Sequence, residues 1–306
     1  MNKKRLFALI ALLISLAYLY KNIDISELKL ALKTASHEYL LVAFMLSVLT
    51  VLLSSLRWYL FLREVQKTSF KKTFKAFISG YYLMTILPPS VGHIAKVKLV
   101  GGDYFKALSS LVIGLSTEFL VVLSFALIFV GFTKFGILGL VLILIALIYE
   151  KGVYKALDSL LKLWESFGFK GLICTIRSYL GRTYEGWSKA KENKVIFLLS
   201  FLLSVTIILL QVFGIIIVGK AFNLEISMKG ALYGFLMSVL FASVSGIPAG
   251  FGANEFGLVL GIGVSTKATV TAFVYKFLFQ YIYSIVGAVM FYEALGEGDK
   301  NENSSC

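Results

Sequence analysis

Pro88 and Pro248 each lie inside a strongly apolar stretch, and their surroundings match. The first reads Leu87-Pro88-Pro89-Ser90-Val91-Gly92 and the second, 160 positions later, Ile247-Pro248-Ala249-Gly250-Phe251-Gly252. Proline has no backbone N–H and its ring collides with the preceding turn, so each stretch contains a broken helix. Broken backbone at membrane depth survives only where it is buried in protein or lines a cavity. Paired breaks in two halves of one chain are the sequence mark of a transporter's binding site.

The rest of the sequence puts those breaks at membrane depth. The chain has 306 residues, of which 58% are hydrophobic and 15% charged, with mean hydropathy +0.84. That is more apolar surface than one water-soluble core can hide. Several runs approach the roughly 20 apolar residues that cross a bilayer: Arg5 to Tyr20, Tyr39 to Leu62, Leu108 to Phe132, Phe135 to Tyr149, Val195 to Val218 and Thr269 to Tyr292. The expected fold is an all-α polytopic membrane protein with six full crossings. The broken stretches, Phe70 to Val100 and Met228 to Val264, are expected to be re-entrant helical hairpins. Lys3, Lys4 and Arg5 precede the first run as in a signal peptide, but no small-residue cleavage site follows, so a retained first helix is expected.

A formal charge of +13 invites a nucleic-acid reading. The charges instead crowd into Arg57 to Lys106 and Lys151 to Lys194, where basic residues far outnumber acids, while Lys21 to Glu38 is balanced. The positive-inside rule then predicts a multi-pass protein of the cytoplasmic membrane with both termini in the cytoplasm. No base-reading motif accompanies the charge, so no nucleic-acid partner is expected. Cys174 and Cys306 give no disulfide framework or metal-ligand spacing, and neither a metal nor a cofactor is expected.

One transmembrane domain is expected over residues 1–295, followed by a polar, frayed tail at 296–306. Within it, residues 39–133 and 195–293 each read as helix, broken helix, helix. Three crossings separate the starts of the two copies, so the second is inverted relative to the first. The connector, residues 150–194, carries apolar residues at helical spacing and reads as two amphipathic helices on the cytoplasmic face, divided near Gly168 to Gly171.

Candidate site residues gather at the breaks and at isolated charges. After Pro88, a restarting helix would offer free N–H groups near Gly92 to an anion, with His93 and Lys96 beside it. Lys98 reads as an interfacial anchor. After Pro248, Gly250 and Gly252 let backbone approach a ligand or a neighbouring helix, and Asn254 and Glu255 fall in the first turn of the next helix. Glu255 could serve as a cap or as a charge-coupling group. Glu118 and Lys276 are isolated in apolar runs, each in the third helix of its copy, and the matching register predicts that they pair. Gln211 and Gln280 could line the same cavity or bond between helices. Arg57, beside Trp58, reads as an interfacial anchor or a headgroup contact.

Arg57-Trp58, Leu87-Pro88 with Gly92, Glu118, and Pro248-x-Gly250-x-Gly252-x-x-Glu255 together resemble the membrane domain of lysylphosphatidylglycerol synthases. The resemblance covers about Arg5 to Tyr292. Thr85, His93, Lys96 and Phe119 stand where that family usually has Asn, an acid, Arg and Arg. In two-domain synthases a soluble domain makes the aminoacylated lipid and the membrane domain moves it. The resemblance therefore implies translocation without synthesis. The partners implied are membrane lipids, either an anionic phospholipid or a polyprenyl-phosphate carrier, and a separate lipid-modifying enzyme. On this reading Pro88, Gly92, His93, Lys96, Pro248, Gly250, Gly252, Asn254 and Arg57 bind lipid or phosphate. Glu118, Glu255 and Lys276 balance charge or protons. The alternatives are an integral-membrane enzyme acting on a lipid headgroup and a scaffold for envelope assembly.

Overall fold

A computed structural model describes residues 25–87, 89–165 and 193–303, with isolated positions between 177 and 188. The expected first helix, Pro88, Cys174, the second connector helix and Cys306 lie outside the described residues. Among the described residues there are twelve α-helices and no strand. In chain order they are α1 (Ile25–Lys33), α2 (His37–Val65), α3 (Phe70–Ile86), α4 (Pro89–Ala95), α5 (Tyr104–Val130) and α6 (Thr133–Ile148). They continue with α7 (Glu150–Glu165), α8 (Lys194–Ala221), α9 (Met228–Ser245), α10 (Ala253–Ile262), α11 (Thr266–Lys276) and α12 (Ile282–Asn303).

Local chemistry sets these boundaries. Asp103 caps α5 by accepting from the N–H groups of Phe105 and Lys106, at 2.9 and 3.2 Å. Gly131, with φ 104°, closes the same helix: its N–H reaches Ile128 O and that of Phe132 reaches Leu127 O. This is the Schellman pattern, which satisfies the last carbonyls. Ser227 and Ser265 cap α9 and α11 by accepting from Gly230 N and Ala268 N.

The protein is a multi-pass membrane protein. Among the described residues four helices are long and apolar enough to cross a bilayer: His37–Val65, Lys194–Ala221, Met228–Ser245 and the continuous Thr266–Glu293. Three of them match expected crossings. The third, α9, was expected as one arm of a re-entrant hairpin, yet its 18 residues rise about 27 Å at 1.5 Å per residue, close to the ~30 Å hydrocarbon thickness. Helix α6, an expected crossing, has 16 residues and rises about 24 Å, which falls short. The tail expected to be frayed continues α12 as helix to Asn303.

The chain divides into two compact units. One holds Met1–Ser55, Lys71–Leu99 and Thr206–Cys306, and the other holds Leu56–Phe70 and Val100–Val205. The division does not follow the expected repeats, because nearly all of both broken segments falls in the first unit while α5 belongs to the second.

Within the first unit, each broken segment folds back on itself. A Cβ on Gly92 would stand 2.7 Å from the Met84 backbone, and one on Gly80 would stand 2.6 Å from Lys96 Cδ, so the chain from Pro89 onward runs back along α3. In the second segment a Cβ on Gly261 would overlap the Gly234 backbone, and one on Gly257 would lie 2.6 Å from the Met237 backbone. Helices α9 and α10 therefore cross antiparallel at backbone contact. Helix α3 also packs on α2 and α12 through Val51, Ile78 and Tyr283. Ser47 Oγ and Tyr283 OH lie 2.8 Å apart, and Ser284 Oγ donates to Tyr81 O at 3.1 Å. A Cβ on Gly287 would collide with the Ile78 carbonyl oxygen, so α12 meets α3 with nothing between the backbones.

Candidate lipid site at the two broken helices

The two breaks meet in space. Helix α4 lies against both α9 and the 3-10 turn Pro248–Gly250.

The second break is the better built. Helix α9 stops at Gly246 (φ 64°), Ile247 is extended, and the chain turns through Ala249 (φ 57°), Gly250 (φ 64°) and Gly252 (φ 79°) before α10 begins. Left-handed backbone suits glycine, but Ala249 adopts it with a Cβ, at a cost of about 1–2 kcal/mol. Its carbonyl is held twice, by Asn254 Nδ2 at 2.8 Å and by Gln280 Nε2 at 2.9 Å. Ser238 Oγ donates to Asn254 Oδ1 at 3.1 Å, which fixes the amide's orientation. Gly250 is required sterically as well, since a Cβ there would lie 2.6 Å from Asn254 Nδ2 and 2.7 Å from Ala242 Cβ.

Glu255 is fully buried. Its Oε2 accepts from Gly252 N–H at 2.8 Å, which places it at the third position of α10 as a cap reaching back over the helix start. Its Oε1 accepts from the hydroxyl of Tyr281. The capping and coupling readings of Glu255 are therefore not exclusive: one oxygen holds the helix start and the other faces α11 and α12.

Tyr281 was assigned no role from sequence. It lies five residues beyond Lys276, which on an α-helix is about 140° off the face. Between α11 and α12, however, the chain makes a π-turn, Phe277–Tyr281, in which Ile282 N–H bonds Phe277 O. One extra residue in the turn brings Lys276, Gln280 and Tyr281 to bear on the same loop. Such π-turns recur at functional sites. Lys276 Nζ donates to Gln280 Oε1 at 3.2 Å, and Gln280 in turn donates to Ala249 O in the turn of the second break. Lys276 is thus coupled to the second break rather than paired with Glu118.

At the first break Lys96 is only 2% exposed, with Nζ 3.3 Å from His93 Nδ1 and 4.4 Å from the Phe77 ring centroid. An ammonium over an aromatic face is attracted to the ring quadrupole. Lys98, by contrast, is exposed, as an anchor should be. Gly92 does not offer the free N–H expected of it. Helix α4 starts at Pro89, so Gly92 is its fourth residue and lies past the unsatisfied first turn. Its role is close packing on Met84.

The remaining expected residues meet in the second unit. Arg57, 5% exposed, donates through Nη2 to Glu118 Oε2 at 2.6 Å and through Nη1 to Ser204 Oγ at 2.9 Å. An interfacial anchor would be exposed, so Arg57 is instead half of a buried ion pair, and Glu118 has Arg57 as its partner where Lys276 was expected. The adjacent Trp58 Nε1 donates to Ser110 Oγ at 3.1 Å.

Among the described residues no cluster of His, Cys, Asp or Glu is arranged to hold a metal. No curated protein matches the chain. Residues 6–287, nearly the whole chain, match the family described as Lysylphosphatidylglycerol synthase TM region, and the chain belongs to that family.

Proposed function

We propose that this chain is a flippase-like transporter of the cytoplasmic membrane that moves a phosphate-bearing lipid, an anionic phospholipid or a polyprenyl-phosphate carrier, between leaflets. The two broken segments act as re-entrant hairpins of an inverted repeat. The headgroup occupies a polar cavity between them while its tails stay in lipid. A separate lipid-modifying enzyme supplies the lipid, and both termini face the cytoplasm. Lys96 and Lys276 receive the phosphate, and Glu255 offsets the charge of Lys276 when the site is empty.

The observation that carries this reading is the meeting of α4 with the Pro248–Gly250 turn. It brings two backbone breaks together beside a buried carboxylate and a lysine held by Gln280, within an apolar chain. Such polar groups are costly in lipid, so they face a bundle interior or a water-filled cavity and mark substrate or ion pathways.

The test is the full chain reconstituted in vesicles with headgroup-labelled fluorescent phospholipids, scoring the label that becomes accessible from outside. The wild type accelerates exchange between leaflets, and Glu255→Gln and Lys276→Met slow it at least tenfold. Exchange no faster than in protein-free vesicles overturns the proposal, and chemical conversion of the lipid makes the chain an enzyme.

A further inference from the structure

The Arg57–Glu118 pair sits apart in sequence from both breaks, and its geometry is unusual for a structural ion pair. A guanidinium carries five N–H donors in a planar fork suited to two parallel bonds with one carboxylate. Among the described residues Arg57 gives one to Ser204 and one to Glu118. Its contact with Glu118 is a single bond to Oε2, which leaves Oε1 out of the fork.

The guanidinium lies across α5 at Gly114, one turn before Glu118, where an added Cβ would stand 3.6 Å from Nε, an ordinary van der Waals contact. On α8, Ser204 Oγ accepts from Arg57 and donates to Ser200 O. Ser200 occupies the same helix face one turn earlier, and its own buried Oγ has no hydrogen-bond partner among the described residues. A buried arginine with donors beyond those two and a buried hydroxyl of this kind are what an oxyanion with several acceptor oxygens would satisfy. The pair is also lopsided in access: the Arg57 side chain is 6% exposed and that of Glu118 22%.

We propose that Arg57, with Ser200 and Ser204, is a second phosphate-binding site, and that Glu118 is a built-in competitor that occupies the anion position until a phosphate ester displaces it. This rests on the reading that the protein handles phosphate-bearing lipids, but it assigns Glu118 the opposite sign to a recruiting group. A phosphate takes two prongs of the fork where Glu118 takes one, and displacement frees Glu118 toward the accessible side.

The experiment is equilibrium binding to the detergent-solubilised full chain by calorimetry. The probes are dihexanoyl phosphatidylglycerol, glycerol-3-phosphate as the same phosphate without tails, and dihexanoylglycerol as tails without phosphate. Glu118→Gln removes the competing charge and is expected to tighten phosphatidylglycerol binding about tenfold, the low end of the coupling measured for close charge pairs. Arg57→Gln is expected to abolish binding at this site, Arg57→Lys to restore it in part, and Ser204→Ala to weaken it a few-fold. Dihexanoylglycerol is expected not to bind. Glycerol-3-phosphate binding as tightly as the lipid would place the source in free phosphate esters, with the competitor role intact. Unchanged or weaker binding in Glu118→Gln overturns the proposal and leaves a structural ion pair. Should Arg57→Gln fail to fold, as judged by size exclusion, Glu118→Gln and Ser204→Ala still decide. Leaflet exchange by the wild type is scored separately, so loss of the competitor role and loss of the transport reading are distinguishable.

Discussion

Gln280 Nε2 donates to the carbonyl oxygen of Ala249, 31 residues earlier in the chain, at 2.9 Å, while Gln280 Oε1 accepts from Lys276. One side chain thus ties the π-turn to the tip of the second break. Gln280→Leu keeps the bulk but removes both bonds, leaving Lys276 without its amide acceptor. A loss of about 1–3 kcal/mol is expected, the usual cost of a stranded buried polar group. Thermal unfolding in detergent checks it, and a melting temperature within a degree of wild type would contradict the arrangement.

Ala249 offers a test of backbone strain in isolation. At φ 57° a residue with a Cβ pays about 1–2 kcal/mol that glycine does not. The 5% exposed methyl returns at most ~0.8 kcal/mol when buried. Ala249→Gly is therefore expected to be neutral or mildly stabilising, and Ala249→Val destabilising. The reverse order in a melting series would mean that the turn is not left-handed.

The glycines of the hairpins should differ in tolerance according to what a methyl would meet. Gly261→Ala drives a Cβ into the Gly234 backbone and Gly92→Ala drives one into that of Met84. Backbone cannot rotate aside as a side chain can, so each is expected to cost at least the 1–3 kcal/mol of overpacking. Gly246→Ala meets nothing within 4 Å and bears only the penalty of φ 64°. Its expression and melting temperature should stay nearer wild type than those of the other two.

A pH effect is expected in the connector. Asp158 accepts from Arg177 Nε at 2.5 Å and pairs with Lys162 Nζ at 3.1 Å. First the Arg177 bond and then that with Lys162 hold its carboxyl below the ordinary range. A depressed carboxyl stabilises its folded arrangement above the unfolded value of about 3.9 and loses that contribution as pH falls through the lower, folded value. Limited proteolysis of the connector should be flat from neutral pH to about pH 4 and rise below it. Asp158→Asn should raise cleavage at neutral pH and flatten the profile.

The sequence exposed the parts of this fold governed by local rules. Proline and glycine mark both breaks, and the third-position Glu255 marks the start of α10, because these effects act within one turn. Long apolar runs mark α2, α8 and the continuous α11–α12 helix by the thickness they must cross. What escaped was registry between distant segments. Glu118 and Lys276 lie at similar sequence offsets beyond Gly92 and Gly252, yet each found a partner set by helix packing: Arg57 for one and Gln280 for the other. Tyr281 was unreadable for a different reason. Its approach to Glu255 requires a π-turn, and no residue in Phe277 to Tyr281 announces one. Gly92 looked like an anion ligand because proline and glycine recur at matching offsets, but the helix restarts at Pro89 and spends that glycine on packing.

The bare contact of Gly287 with the Ile78 carbonyl also has a mechanical result. At that crossing there is no side chain between the two helices whose rotamer could absorb added bulk, so any larger residue at position 287 would have to push α3 and α12 apart as whole helices.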